Sequence, residues 1–390
     1  MQLAWGPAEE TFRAEIASFL DANAPPEAYV PRDSESGDEN GVPQWARDWQ
    51  RTLFDNGWLI PGYPPELGGR NATPTQTLIY MEELAKRGLP RSLSFQGYAI
   101  VAPSLLDFGS EEQKKLVRPT LRAEILWSIG MSEPNAGSDL ASLTTRAELR
   151  GDHFIVNGQK VWTSSATYAD YCFCYVRTDP QAAKHKGISV LIIDLKKTPG
   201  VDPRPLRHIT GKPEFAEVFF SDAPVPKENL VGRLNDGWRI TLGSLAHERG
   251  GLWVQGVATV EHALKLLVEL AKKTGQDRDA TVRRRLAAAY AEVSSLRTLG
   301  YKGFASFAQG GSAPEHSFLK LATSELSKSL FELGMDLCGA YGAVVDAERG
   351  EEAGFWIRKF FVNFATTIAG GTSEIQRNII AERILGLPRG

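Results

Sequence analysis

Three separate stretches of this chain hold residue types that could bind a small polar ligand. Met131-Ser132-Glu133-Pro134-Asn135-Ala136-Gly137-Ser138-Asp139 gathers hydroxyls, an amide and acids into one turn-forming run. Ser, Asn, Gly and Asp make turns through local side-chain hydrogen bonds, so this run alone reads as a turn. It falls, however, where the character of the chain changes, and ligand pockets concentrate at domain junctions. Gly158-Gln159-Lys160-Val161-Trp162-Thr163-Ser164 follows at the end of a strand-like run, and Gly370-Gly371-Thr372-Ser373-Glu374-Ile375-Gln376-Arg377 opens the last helix. Gly371 and Thr372 there present free backbone N–H groups to polar ligand atoms, while Thr372 also serves as an ordinary cap. The chain has no Gly-x-Gly-x-x-Gly, no Walker loop, no Gly-x-Ser-x-Gly elbow and no His-Glu-x-x-His helix, which argues against dinucleotide binding on a Rossmann fold.

Three kinds of patterning must position these stretches. From Ala8 to about Ile125 apolar residues recur at helical spacing, as in Phe12, Ile16 and Phe19 and again from Leu78 to Leu84. The polar run Arg32 to Gly41 is expected to be a mobile surface loop, and Gly57 to Gly69 an ordered, turn-rich connection. From about Leu126 to Gly232 short strand-like runs alternate with Gly, Pro, Asn and Asp. The clearest are His153–Val156, Asp170–Val176, Ile188–Ile193 and Glu217–Phe220. Short strands without intervening helices argue for an antiparallel barrel or sandwich. Beyond Gly237 helical spacing returns, and Val282, Leu286, Ala289, Val293 and Leu296 mark one buried stripe. The expected architecture is a multidomain α+β protein: an N-terminal helical domain (1–125), a middle β domain (126–232) and a C-terminal four-helix bundle (233–390).

A chain of 390 residues outgrows a single core, consistent with this division. The net charge of −3 with scattered basic residues leaves no footprint for nucleic acid or an anionic membrane. No apolar run is long enough to span a bilayer and Met1 to Glu10 lacks a leader pattern, so a cytoplasmic protein without membrane insertion is expected. Cys172, Cys174 and Cys338 have no zinc-type spacing, so no metal is expected, and the first two are explained by one face of a strand.

Taken together, the three stretches resemble those of the acyl-CoA dehydrogenase family, and the resemblance covers nearly the whole chain. Gly57-Trp58 with Pro61 and Gly68-Gly69, Gly109 with Glu112-Gln113-Lys114, Val218-Phe219-Phe220 with Val225-Pro226, and Gly237-Trp238 support it. The resemblance implies FAD held between the β domain and the C-terminal helices, its adenosine portion reaching a neighbouring subunit. Met131, Ser132 and Ser138 match positions lining the isoalloxazine and the thioester, and Trp162 and Ser164 match those flanking the flavin ring. A flat ring needs an aromatic or apolar face and a few convergent donors. Thr372, Glu374 and Gly339 match further cofactor-binding positions. Two departures concern the adenosine half. The segment that usually supplies an Arg and a Phe reads Lys272-Lys273-Thr274-Gly275-Gln276, and the usual Gln before the Gly-Gly pair is Asp336, ahead of Gly339-Ala340. An acid near a pyrophosphate is unfavourable unless it points away or is paired.

In most of the family the catalytic glutamate immediately precedes Gly-Thr-Ser, which here is Gly370. The isovaleryl and long-chain branches carry it instead on a C-domain helix before an arginine. Leu245-Ala246-His247-Glu248-Arg249-Gly250-Gly251 matches that pattern, which implies Glu248 as the base and Arg249 beside the substrate. A lone Glu is more often a solvated helix-face acid, but the coupled loss at Gly370 favours the catalytic reading. Gly370 itself is implied in substrate binding through its N–H, which joins a flavin hydroxyl on the thioester oxygen and stabilises the enolate-like charge.

The function implied is α,β-dehydrogenation of an acyl-CoA by a homotetramer or a mixed tetramer, with electrons passed to an electron-transfer flavoprotein. The alternatives are a non-catalytic subunit of a hetero-oligomer and a flavin oxidase or monooxygenase on the same fold. The relocated base and the Leu-Gly-Leu-Pro-Arg ending are similar to branches acting on branched, long or polycyclic acyl groups, including steroid side chains.

Overall fold

The computed structural model describes residues 5–29, 41–308, 315–345 and 354–388, and the side chains of 244–252, 307 and 315–317 are not among what it describes. Apart from Gly41, the loop expected at Arg32–Gly41 lies outside the described residues. Contacts sort the chain into two units, Met1–Thr77 with Gly88–Glu248, and Leu78–Arg87 with Arg249–Gly390.

The first unit begins with α1 (Pro7–Asn23), which buries Phe12, Ile16 and Leu20 at steps of four and starts on a proline whose missing N–H is harmless there. After α2 (Gln44–Asp55) the chain enters α3 (Pro74–Arg87), whose residues from Leu78 on belong to the second unit. A π turn at Gly97–Val101 then leads into α4 (Ala102–Phe108), α5 (Glu111–Lys114) and α6 (Val117–Leu121). A reciprocal capping box between Ser110 and Gln113 opens α5. The Gln113 amide also donates to the carbonyls of Glu228 and Leu230 at 2.9 and 3.0 Å, tying this helical part to the end of the sheet.

The sheet comprises β1 (Trp127–Gly130), β2 (Arg146–Arg150), β3 (His153–Lys160), β4 (Tyr171–Arg177), β5 (Ile188–Asp194), β6 (Val201–Leu206), β7 (Phe215–Pro226) and β8 (Leu230–Val231). Its order is β6-β7-β3-β2-β4-β5-β8, with β1 added on β4. Most pairs are antiparallel, as the short strands imply, but β1 and β2 both run parallel to β4. The hairpin β2–β3 occupies the connection that a parallel pairing of β1 with β4 requires. Residues 172–176 of β4 are all buried, and Cys172 and Cys174 lie over Gly130 of β1. A Cβ added there would sit 3.0 and 3.1 Å from the two sulfurs, so a larger residue would require them to shift by a few tenths of an ångström.

The second unit is helical: the remainder of α7 (Gly237–Lys273), α8 (Ala280–Ala308), α9 (Glu315–Leu337), α10 (Phe355–Thr366) and α11 (Ser373–Ile379). Val282, Ala289, Val293 and Leu296 of α8 are buried and Leu286 half-buried, the stripe that the spacing predicts. Trp356 of α10 is buried on Gly334 of α9, and Asn363 accepts from Ser327 at 2.5 Å between the same helices. Gln276, just past the end of α7, donates to the Leu337 carbonyl at 2.8 Å, so Lys272–Gln276 finishes one helix and clamps the end of another. Among the described residues no helix is long and apolar enough to cross a membrane.

Candidate functional site

In the first unit the structure brings together two of the stretches singled out by sequence. Met131 and Ser132 leave β1 half-buried, and Glu133 and Ala136 bond each other's backbone at 3.0 Å to close a tight turn, beyond which Ser138 is exposed. The Val161 N–H donates to the Ser132 carbonyl at 2.9 Å, so the turn lies directly against the end of β3. Trp162 follows with a left-handed backbone (φ +57°) and an indole 55% exposed, held edge-on against Phe215 at 5.7 Å. Ser164 is half-buried, and between it and Trp162 the Thr163 N–H and carbonyl both pair with Ala216 at 3.1 Å, which fixes this segment to the sheet.

Beneath these residues lies an ion pair that sequence reading missed. Lys160 Nζ contacts Glu133 Oε1 at 2.8 Å, with 0% and 5% of the two side chains exposed. The Glu133 carboxylate also accepts from the Thr144 N–H, the Thr144 hydroxyl and the Thr145 N–H at 2.6, 2.8 and 2.8 Å. Burial by itself would raise the Glu133 pKa, but the Lys160 charge and these hydrogen bonds overcome it and lower the value from 4.5 to about 2. A lysine and an acid inside polar, turn-forming motifs carry no signal of burial. Only their common need for a partner, if both are placed inward, could have suggested it.

In the second unit Gly370 and Gly371 adopt left-handed conformations (φ +66° and +97°) ahead of α11, and among the described residues nothing lies within 4 Å of where a Cβ on Gly370 would stand. Thr372 caps α11 by accepting from the Ile375 N–H at 3.3 Å. The turn is gripped by its neighbours. Lys320 donates to the Gly371 carbonyl at 2.7 Å, Gln376 to the Gly370 carbonyl at 3.1 Å, and Ser373 to Glu325 at 2.6 Å. Glu374 is exposed in the first turn, where its own backbone N–H and the Thr372 hydroxyl hold its pKa below the usual range. Gly339 (φ +58°) starts the 3-10 turn after α9. Asp336 meets the condition its position imposes, since Arg285 Nη1 lies 2.7 Å from its carboxylate. Glu248 and Arg249 lie on α7, and their side chains are outside the described set.

The residues present fit a flat heteroaromatic cofactor. The exposed Trp162 indole provides an aromatic face, and the N–H of Ser132, whose carbonyl is bonded to the neighbouring Val161, meets no acceptor among the described residues. FAD is therefore a group that Met131, Ser132, Trp162 and Ser164 of the first unit could hold.

Comparison with known proteins agrees along the whole length. The chain matches the acyl-CoA dehydrogenase N-terminal domain over residues 6–124, the middle domain over 128–223 and the C-terminal domain over 235–385. It is 37% identical over 386 residues to the acyl-CoA dehydrogenase IpdE1 of Mycobacterium tuberculosis, covering 97% of this chain and 98% of the relative. It is 34% identical over 405 residues to the acyl-CoA dehydrogenase FadE26 of the same organism, covering 100% and 99%. Among solved structures it is similar to the Tcur3481–Tcur3483 steroid ACAD (TM-score 0.86, 31% identity, 100% of both chains). The ChsE4–ChsE5 complex from Mycobacterium tuberculosis is also similar (TM-score 0.83, 32% identity, 100% of both chains). The three-domain fold, helical then β then helical, and the match of each domain in turn show that the chain belongs to the acyl-CoA dehydrogenase family of FAD-dependent oxidoreductases.

Proposed function

We propose that this enzyme desaturates an acyl-CoA thioester between the α and β carbons, with Glu248 as the base that removes the α proton. The observation that carries this reading is Gly370. The position at which most of the family bears its glutamate has no side chain and, among the described residues, open space around it, while α7 offers Glu248 followed by Arg249. FAD, when bound, supplies the acceptor for the hydride leaving the β carbon. Arg249 keeps the base anionic. The Gly370 N–H and Ser138 bind the thioester end, where a donor stabilises the negative charge that develops on the carbonyl oxygen. Met131, Ser132, Trp162, Ser164, Gly339, Thr372 and Glu374 hold the cofactor, and the divisions at 125/126 and 232/233 separate the domains that carry them.

A polycyclic, steroid-derived acyl group is the substrate class we favour, supported by the similar structure described as a steroid ACAD. A mixed tetramer with a related subunit is favoured by the same observation and by the similar ChsE4–ChsE5 complex, with an electron-transfer flavoprotein as the acceptor in the cytoplasm.

Rapid mixing of Glu248→Gln with a turned-over acyl-CoA under anaerobic conditions tests the assignment. Flavin content should match the parent while flavin reduction slows by roughly 10² to 10⁴ or more, the usual effect of removing a general base. Reduction at close to the parent rate would transfer the role to another acid.

A further inference from the structure

Two consecutive peptide groups, 131–132 and 132–133, run through the Met131–Glu133 segment, and the structure accounts for all but one of their polar atoms. The Ser132 carbonyl takes the Val161 N–H at 2.9 Å, and the Glu133 N–H goes to the Ala136 carbonyl at 3.0 Å. The Met131 carbonyl takes the Lys160 ammonium at 3.1 Å. What remains is the Ser132 N–H, which finds no acceptor among the described residues. It belongs to the same planar peptide as the Met131 carbonyl, and in a trans peptide the two point in opposite directions. Drawing the carbonyl inward to a fully buried lysine therefore turns the N–H the opposite way, away from that lysine.

Lys160 in turn has no freedom of its own. Its side chain is wholly buried, and Glu133, itself fixed by the backbone N–H groups of Thr144 and Thr145, sets where the ammonium sits. We infer that the Lys160–Glu133 pair is a positioning device for the cofactor: it fixes the Met131–Ser132 peptide so that the Ser132 N–H stands as a preset donor to the flavin ring. The inference rests on the placement of the flavin beside Met131, Ser132 and Trp162. It goes beyond that placement by giving a buried charge pair, which touches neither substrate nor cofactor, control over how the cofactor is held. A well-paired charge in a low-dielectric interior is costly to rearrange, which suits a group whose task is to hold one geometry.

The test compares Glu133→Gln with the double variant Glu133→Gln/Lys160→Met, each purified as holoenzyme, stripped of flavin and titrated with FAD. Thermal melting of the stripped proteins reports folding separately from binding. The single variant leaves the buried Lys160 ammonium without its counter-charge and turns an amide NH2 toward a Thr144 or Thr145 donor, so it should melt below the parent and, with the ammonium no longer fixed on the Met131 carbonyl, bind FAD more weakly. The double variant removes the buried charges together and keeps side-chain volume. It should fold, bind FAD about tenfold more weakly, the effect of one misaligned hydrogen bond, and show a shifted visible band. Parental affinity and an unshifted band in a folded double variant would overturn the inference, and so would the loss of folded protein in both variants, which would assign the pair to folding alone. A parent chain that takes up FAD with a spectrum insensitive to Trp162→Ala would instead contradict the placement of the flavin, so the two failures are distinct.

Discussion

The turn at Met131–Asp139 and the turn at Gly370–Glu374 both carry residues proposed to bind the cofactor or substrate, yet they are held by opposite means. The first stands on a charge pair with 0% and 5% side-chain exposure and four hydrogen bonds on one carboxylate. The second is gripped by the half-buried Lys320, by Gln376, and by Glu325 acting through Ser373, with 34% of the Glu325 side chain exposed. None of these grips involves a side chain at 370. The turn can therefore do without a carboxylate there and keep its shape, which is the condition under which a base can be carried elsewhere in the chain. The β-side turn has no such freedom, because its anchors cannot be changed one at a time.

The sharpest way to break this contrast is Lys160→Met alone. It strands a buried, hydrogen-bonded carboxylate, and losing one partner of a buried pair costs roughly 3–5 kcal/mol, so denaturant or thermal melts should show a severe loss. A change below about 1 kcal/mol would mean that the pair is solvated, in the range of surface pairs.

Acid should reveal the same asymmetry. Because the folded Glu133 pKa is depressed from 4.5 to about 2, its contribution is fully present above pH 4.5 and is lost as the pH falls toward 2. Melting temperature followed across that window should fall in the parent and vary less in Glu133→Gln; parallel curves would contradict the assignment.

On the other turn, Lys320→Met removes one hydrogen bond to the Gly371 carbonyl. Burial depresses the Lys320 pKa, so the side chain is partly desolvated, and a loss of about 1 kcal/mol is expected in melts of the flavin-free protein. A loss as large as that of Lys160→Met would erase the difference between the turns. Smallest is Asp336→Asn. The Asp336–Arg285 pair is 57% and 37% exposed, so stability should change by less than about 1 kcal/mol.

Much of this architecture can be read from the sequence, because apolar periodicity reflects burial directly. Val282 to Leu296 and the runs of β3, β4, β5 and β7 follow that rule. The pairing of Cys172 and Cys174 on one strand face was legible for the same reason. The parallel placement of β1 was not: Trp127–Gly130 is too short to carry a pattern, and its direction is set by what it packs on. The π turn at Gly97–Val101 has no marker in composition. Motif residues were legible as a set of candidate contacts, whereas the roles of Glu133 and Lys160 within the same motifs were not, since polar residues in turns read as exposed. The acid at Asp336 looked misplaced until the fold supplied Arg285 from another helix, 51 residues away in sequence.

The account as a whole rests on a base carried on α7 and absent from the turn before α11. Its most direct test is flavin reduction by Glu248→Gln compared with Glu248→Gln/Gly370→Glu. Among the described residues a side chain at 370 has open space but must accept φ +66°, a strain of roughly 1–2 kcal/mol, so the double variant should fold with slightly reduced stability. The prediction is that Glu248→Gln nearly abolishes reduction of its bound flavin by acyl-CoA and that glutamate at 370 restores part of it. Reduction that is undiminished in Glu248→Gln, and indifferent to the residue at 370, would contradict the account.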